Sequence, residues 1–307
     1  MRCDRCGEEA VAFVRYSGAH LCAQHFAIFV ETRAKREVRR QLRLTGSTRI
    51  ACALSGGKDS SVATYLLHAT LGRRPDVDLI AVTVDEGIAG YRPPSLERAR
   101  ALCEALDLEH RVLAYRDLVG WEMDDVVATD PETIPCSYCG VFRRKALNVL
   151  AREVEADYLA TGLNLDDTTQ TVLMNLGRAD LEKLARMGPH DHLQPGLVPR
   201  VQPLRTVPEK EVYLYALLKE IPFHDGSCPY AERGLRNRYR EVLFDLERDS
   251  PGTRHGLLSS YEELRELLRE RHPPASLSSC ERCGEPTMAR LCRSCRFVER
   301  LASLPAA

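Results

Sequence analysis

Long apolar runs, aromatic residues and lysine are what this 307-residue sequence is short of. Its longest uninterrupted apolar stretch, Val212 to Leu218, is seven residues, against the roughly 20 that a bilayer helix needs. No charged-then-apolar leader opens the chain either, so the expectation is a cytoplasmic protein with no membrane partner. Excess charge of one sign is also missing. The net charge of −1 gives no global field to draw in a polyanion, and any argument for nucleic acid must rest on local patches. Of 43 basic residues only six are lysines, Lys35, Lys58, Lys145, Lys183, Lys210 and Lys219, which leaves 37 arginines. With 44% apolar and 28% charged residues the chain is neither disordered nor collagenous, and is long enough for one good core with small appendages. The unusual abundances are the arginines and twelve cysteines.

The arginines cluster. Glu31 to Arg43 holds Arg33, Lys35, Arg36, Arg39, Arg40 and Arg43 in a stretch free of Gly and Pro, which predicts a helix. Further groups are Arg143-Arg144-Lys145, then Arg233, Arg236, Arg238 and Arg240, then Arg290, Arg293 and Arg296. Any one of these reads equally well as a solvated face. Four together lean towards an RNA partner.

Ten of the twelve cysteines fall into a pattern. Cys3-x2-Cys6 is followed after fifteen residues by Cys22-x2-His25, and Cys280-x2-Cys283 after eight by Cys292-x2-Cys295. A two-residue spacer lets a tight turn aim two ligands at one ion, and two such turns complete the tetrahedron of a closed structural Zn²⁺. Disulfides are a poor reading for a cytosolic chain. Two structural zinc ions are therefore expected, serving as folding staples or RNA-contact ribbons. The third group, Cys136-x2-Cys139 with Cys228, supplies three ligands and no fourth. Three corners of a [4Fe–4S] cluster, a zinc with an open position, and a redox pair with a bystander all fit the spacing. Cys52 and Cys103 lie in apolar contexts and read as core thiols.

Arg49 to Leu54 reads as a short buried strand, and Ser55-Gly-Gly-Lys-Asp-Ser60 leads from it into a helical Ser61 to Leu71. Strand, glycine turn and helix start make a phosphate cradle: backbone N–H groups approach the anion and the helix N-terminus adds positive potential. The glycine spacing is not that of a Walker A loop. Strands come next at Leu79 to Val84, Arg111 to Ala114 and Tyr158 to Thr161, with helical stretches at 94–106 and 140–155. This alternation predicts an α/β fold with a doubly wound parallel sheet and ligands at the carboxyl ends of its strands. The loops Ser55–Ser60, Asp85–Gly90 and Gly162–Asp167 fall there. Asp166 and Asp167, ahead of a helix at Thr168 to Leu176, suit a cap, a Mg²⁺ ligand or a general base. Pro189 to Pro208 carries five prolines and reads as an extended or mobile loop near the site.

Ser-Gly-Gly-Lys-Asp-Ser resembles the PP-loop of the N-type ATP pyrophosphatases, which cleave ATP to AMP and pyrophosphate by adenylating a substrate oxygen. Taken with Val84-Asp-Glu-Gly-Ile-Ala-Gly-Tyr91, Cys136-Ser-Tyr-Cys-Gly-Val-Phe-Arg-Arg144, Gly162-x-Asn-x-Asp-Asp167 and the two ribbons, it is similar to the tRNA 2-thiolation enzymes of the TtuA/NcsA group over nearly the whole chain. Asp-Glu-Gly-Ile-x-Gly-Tyr, Gly120-Trp-Glu-Met123 and Arg143, where the TtuA branch has Lys, place the likeness nearer the NcsA branch. That branch acts on wobble uridine 34 rather than uridine 54. One departure is that Leu163 stands where the family has His in Gly-His-Asn.

The resemblance implies that ATP with Mg²⁺ is held by Ala53, Leu54, Ser55, Gly56, Gly57, Lys58, Asp59 and Ser60, by backbone near Val84 and Gly162, and by Asp167. It adenylates the uracil O2, and a sulfur nucleophile then displaces AMP. The resemblance also implies that Cys136, Cys139 and Cys228 hold a [4Fe–4S] cluster. Arg143 would neutralise the α-phosphate, Asp167 would act as base or metal ligand, and Lys58 and Asp59 would complete the catalytic set. Expected partners are tRNA, a sulfur donor (a ubiquitin-like thiocarboxylate or free sulfide), and a second copy in a homodimer. The expected organisation is a zinc ribbon and basic helix at 1–45, the catalytic domain at 46–225, a basic helical segment at 226–271 and a second ribbon at 272–307. Competing readings are a PP-loop ligase or amidotransferase on another carbonyl substrate, for which the ribbons have no use, and a non-catalytic zinc-ribbon RNA-binding protein.

Overall fold

The computed structural model describes residues 1–190, 194–231 and 236–305. Arg233, one member of the third basic group, lies outside the described residues. An antiparallel pair, β1 (Ala12–Val14) and β2 (Ala19–Leu21), leads into α1 (Ala23–Gln41). The alternating core comes next: β3 (Thr48–Ala53), α2 (Lys58–Leu71), β4 (Val77–Asp85), α3 (Arg92–Leu106) and β5 (Glu109–Ala114). It continues through α4 (Tyr115–Val119), α5 (Met123–Thr129), α6 (Pro135–Glu153), β6 (Tyr158–Ala160), α7 (Leu165–Leu176), α8 (Leu181–Ala185), β7 (Arg200–Val201) and α9 (Glu209–Leu218). Two long helices, α10 (Arg236–Asp249) and α11 (Thr253–Arg271), precede the C-terminal ribbon of β8 (Ser278–Ser279), β9 (Pro286–Thr287) and α12 (Arg293–Ser303).

The central sheet runs β5-β4-β3-β6-β7 with every pairing parallel. Side chains alternate between its faces, and both faces are covered, as a parallel sheet requires. Ala51, Ile80 and Val82 meet Phe142, Leu150 and Tyr138 of α6 on one side, where Leu301 of α12 joins them. Ile50, Cys52 and Leu79 meet Leu67 and Leu71 of α2 on the other, beside Val38 of α1. Around Leu54 and Ala81, α1, α2, α3 and α9 share one cluster through Phe26, Val30, Leu66, Leu102, Val212 and Tyr215. The N-terminal ribbon is part of this core, since Cys3, Val14, Leu21 and Cys22 belong to the same cluster. Cys52 and Cys103 are buried core thiols, and burial pushes them up to about 12 and about 11.

The direction of winding reverses between β3 and β6, and the crevice lies at the carboxyl ends of the strands beside this switch point. Three expectations about element bounds change. The proline-rich stretch carries a fifth strand: β7 pairs with β6 through Leu159–Arg200 and Ala160–Val201. Helix α6 starts at Pro135, so Cys136 and Cys139 lie on its first turn rather than in a loop before it; proline at N1 costs no hydrogen bond there. Helix α7 starts at Leu165, because Asn164 caps it by accepting from the Asp167 N–H at 3.0 Å.

Candidate functional site

The loop after β3 turns on Gly56 at φ +82°, where a Cβ would lie 1.8 Å from the Ser95 carbonyl oxygen, so no other residue fits. Ser60, in the first turn of α2, closes the turn: its hydroxyl donates to the Gly57 carbonyl at 2.9 Å and accepts the Ser55 N–H at 3.0 Å. Outside it, the His224 N–H donates to the Gly56 carbonyl at 2.8 Å. The loop after β6 also packs against it, since a Cβ on Gly162 would stand 2.6 Å from the Ser60 nitrogen. Ala53 ends β3 and Leu54 is buried beneath the turn. A cavity of about 1050 Å³ opens above, lined by Ser55, Gly57, Lys58, Asp59 and Ser60 with Tyr91, Asp166, Glu209, His224 and Ser227.

The cavity floor is a charge network. Lys58 Nζ bonds Asp59 at 2.9 Å and Glu209 at 2.8 Å; burial opposes its charge, but the two carboxylates hold it above its ordinary range. Asn164 Nδ2 donates to Asp59 at 3.0 Å, which ties the two loops together. Asp166 accepts the Glu209 N–H at 2.8 Å and pairs with Arg254 at 3.1 Å. Asp167 pairs with Arg236 at 3.1 Å. Burial pushes Asp167 up to about 6 against the pull of Arg236, and the Asp59 charge adds to the rise. Leu163 is exposed on the same loop and offers no titratable group.

The cysteine trio stands beside this cavity. Cys136 is exposed, while Cys139 and Cys228 are half-buried. The Cys139 sulfur is 3.1 Å from Arg143 Nη2 and 3.6 Å from the Tyr115 hydroxyl, which itself donates to the Cys139 carbonyl at 2.8 Å. Burial raises the Cys228 thiol above its ordinary range, and the nearness of Cys139 and Cys136 adds to the rise. Val84, at the end of β4, leads to Glu86, a buried carboxylate that pairs with Arg143 at 3.0 Å and Arg92 at 2.9 Å. Arg143 itself leaves half its side chain exposed.

The terminal groups are built differently. Cys3, Cys6, Cys22 and His25 bring their ligand atoms within 4.8 Å of one another, and so do Cys280, Cys283, Cys292 and Cys295. His25 turns Nδ1 inward, 3.3 Å from the Cys22 sulfur. Burial opposes ionisation of Cys3 and Cys280, yet backbone N–H donors of their knuckles bring each down to about 6. Each quartet has the donor set and spacing of one closed tetrahedral ion. Cys136, Cys139 and Cys228 do not draw together to that separation. A single ion would pull three sulfurs close, whereas a polynuclear cluster takes each sulfur on a different metal and needs them wider apart. The donor set, three thiols with a guanidinium beside them and no fourth ligand among the described residues, fits an iron–sulfur cluster with one iron open.

Three contributors escape the sequence reading. Glu86 sits inside a recognised motif yet carried no role there. Arg92, in Tyr91-Arg-Pro-Pro, lies just ahead of the helix expected at 94–106 and carried no role. Glu209 arrives from 151 positions beyond Lys58 in the chain, with no motif around it.

A crevice over a PP-loop, with Cys228 one residue beyond its lining Ser227, defines a PP-loop enzyme of the sulfur-transferring kind. Residues 30–247 match the PP-loop domain family, and residues 2–27 match the 2-thiouridine synthetase TtuA, N-terminal LIM domain. The chain is 43% identical to the tRNA 2-thiolation protein NcsA of Haloferax volcanii, covering 99% of this chain and 100% of that one. It is 35% identical to cytoplasmic tRNA 2-thiolation protein 1 of Oryza sativa subsp. japonica, covering 97% and 82%. Its fold matches the structure of the U34-tRNA thiolase NcsA from Methanococcus maripaludis with its [4Fe-4S] cluster at TM-score 0.84 and 33% identity, covering 98% and 96%. The chain belongs to the NcsA family of tRNA 2-thiolation proteins.

Proposed function

We propose that this protein exchanges the C2 oxygen of uridine 34 in tRNA for sulfur, with one ATP cleaved to AMP and pyrophosphate. It is a tRNA sulfurtransferase, and the observation that carries the site assignment is the nearness of the two halves: Ser227, next to Cys228 in the chain, lines the ATP crevice, and Arg143 reaches the Cys139 sulfur at 3.1 Å. A uracil carbonyl is a poor electrophile with a poor leaving group. Attack of O2 on the α-phosphorus expels pyrophosphate and leaves an O-adenylated base; sulfide then adds at C2, and AMP departs with the oxygen.

Each residue has a role in this scheme. Ser55 to Ser60 cradle the phosphates with the N-terminus of α2 behind them, Lys58 opposes their charge, and Asp59 and Asp167 suit the Mg²⁺ that accompanies ATP. Asp167, poised at about 6, also suits a proton acceptor near neutral pH. Arg143 neutralises charge growing on the α-phosphate. Cys136, Cys139 and Cys228 would hold a [4Fe–4S] cluster, which would supply an iron coordination position for sulfide.

The proposal extends beyond the crevice. The quartets hold two zinc ions, the sulfur comes from a ubiquitin-like thiocarboxylate or free sulfide, and the working form is a cytoplasmic homodimer, as the naming of its relatives suggests for the compartment. No helix among the described residues is long and apolar enough to cross a membrane. The division at residues 45, 225 and 271 belongs to the same proposal. Thiolation of uridine 54 is the second reading, favoured by the TtuA-type N-terminal match.

The test is anaerobic purification followed by tRNA analysis. About four irons per chain, lost in Cys136→Ala, with 2-thiouridine absent at position 34 of tRNA from a deletion strain, supports the proposal. Loss at position 54 alone moves the target, and unchanged thiolation at both positions overturns it.

A further inference from the structure

Two arginines and one carboxylate join the halves of the site, and neither Glu86 nor Arg92 has a place in the thiolation chemistry. Arg92 opens α3 and is 3% exposed. Its Nη1 donates to the Ser55 carbonyl at 2.8 Å, at the mouth of the PP-loop, and to the Ser95 hydroxyl at 3.2 Å; its Nη2 donates to the Val84 carbonyl. Its Nε faces Glu86 Oε2 at 2.9 Å. The other Glu86 oxygen takes Arg143 from two sides, Nε at 3.1 Å and Nη2 at 3.0 Å, and the same Nη2 reaches the Cys139 sulfur at 3.1 Å. The path from the ATP loop to the cysteine face is therefore unbroken: Ser55 carbonyl, Arg92, Glu86, Arg143, Cys139.

A guanidinium buried to 3% exposure is tolerated only when paired. One carboxylate shared by two arginines leaves the trio one positive charge in surplus. That surplus emerges on Arg143, whose Nη1 has no partner among the described residues and whose side chain is half exposed. Glu86 in turn is anchored through its backbone, its carbonyl accepting the Met123 N–H at 2.8 Å. Arg92 grips backbone carbonyls at the ends of β3 and β4, so the carboxylate moves with the sheet rather than with solvent.

We propose that Glu86 is a positioning residue: anchored through Arg92 to the PP-loop, it fixes the Arg143 guanidinium in register between the ATP phosphates and the Cys139 sulfur. The inference rests on the thiolation reading. It requires that Glu86 act on turnover through Arg143, and on ATP binding hardly at all.

The experiment uses the full chain, purified anaerobically, with tRNA and ATP. Glu86→Gln should lower kcat for AMP formation by about 10- to 100-fold while leaving KM for ATP within about threefold, because a misplaced group costs rate more than binding. Iron content should stay at the wild-type value. Arg143→Ala should recover part of its activity with added guanidinium, and Glu86→Gln/Arg143→Ala should not, since only the carboxylate can seat the added cation. If Glu86→Gln does not fold, the same comparison is made with Glu86→Asp, whose shorter side chain cannot span both arginines. Wild-type kcat in the variant, a parallel loss of kcat and ATP affinity, or equal guanidinium rescue in single and double variants overturns the inference. A wild-type protein that never thiolates tRNA defeats the reading it rests on instead.

Discussion

The two ends of this chain and its middle use the same residue for opposite purposes. At the ends, four ligands gather within 4.8 Å, three of the four buried at the C-terminal quartet, with backbone N–H groups aimed at the sulfurs. In the middle, three thiols stand wider apart, partly open to the crevice, beside an arginine rather than a fourth ligand. Spacing in the sequence is Cys-x2-Cys in both places. The difference is made by the residues downstream of each pair. A second knuckle closes a quartet, whereas Cys139 is succeeded four residues later by Arg143, one turn along α6 and on the same face. A coordination shell without a vacancy can only hold a fold together; a shell that lacks a member can also take a substrate atom.

The comparison breaks if the middle thiols prove structural. Cys136→Ala should therefore have the largest effect, a loss of 2-thiouridine formation of at least about 1000-fold, with stability changed by no more than about 0.5 kcal/mol because the side chain is exposed. Thermal melting and a tRNA thiolation assay on one preparation decide it. The mirror substitution sharpens the contrast: Cys280→Ser should cost one zinc per chain and open the C-terminal ribbon, seen by metal analysis and hydrogen exchange at residues 278–300, while thiolation falls less than about tenfold.

Asp167→Asn should slow turnover by about 100-fold at pH 7.5. Its stability effect should have the opposite sign. Burial first, and the Asp59 charge after it, raise this carboxyl in the folded state, which therefore binds a proton that the unfolded chain has already released near the ordinary Asp value of about 4. Stability from this group is present below about 4 and is lost as pH rises to about 6. Above that pH, the Asp167→Asn protein should melt no lower than wild type, and the acid-side gain should vanish from its pH profile. The smallest effect is expected from Arg240→Ala, which breaks a 2.8 Å pair with Glu209 that is largely exposed on the arginine side. Such a pair is worth about 0.2–1 kcal/mol, so melting should barely move, and any change should appear in KM for ATP.

Much of this was legible in the residues, and the illegible part has physical causes. Ser55–Ser60 announces itself because a phosphate cradle needs glycines, a helix start and a preceding strand, all contiguous in sequence. The quartets are legible for the same reason, since each ligand pair is local and needs only one turn. β7 leaves no trace: it is two residues long, lies between Pro199 and Pro203, and gains its pairing from β6 rather than from any apolar pattern. The first turn of α6 is masked because Pro135, Cys136, Ser137 and Gly140 read as loop formers, while the burial of Tyr138, Val141 and Phe142 makes them helical. Glu86 and Arg92 look like ordinary surface charges, and become a buried pair only where the ends of β3 and β4 meet α3. Glu209 reaches Lys58 only after the whole sheet has been laid down.

Tyr138 lies between Cys136 and Cys139 in the chain, and its ring rests 4.4 Å from that of Phe297 in α12, the helix whose first turn holds Cys295. The same tyrosine hydroxyl donates to Asp130 at 2.6 Å, and Arg300 of α12 reaches that aspartate at 2.9 Å. The closed metal shell at the end of the chain and the open thiol face at its centre thus share one aromatic contact and one carboxylate. Tyr138 and Asp130 tie α12 to α6 at positions that an opening of the Cys280–Cys295 knuckles leaves in place, so the two halves of the chain are held together by side chains rather than by a shared metal.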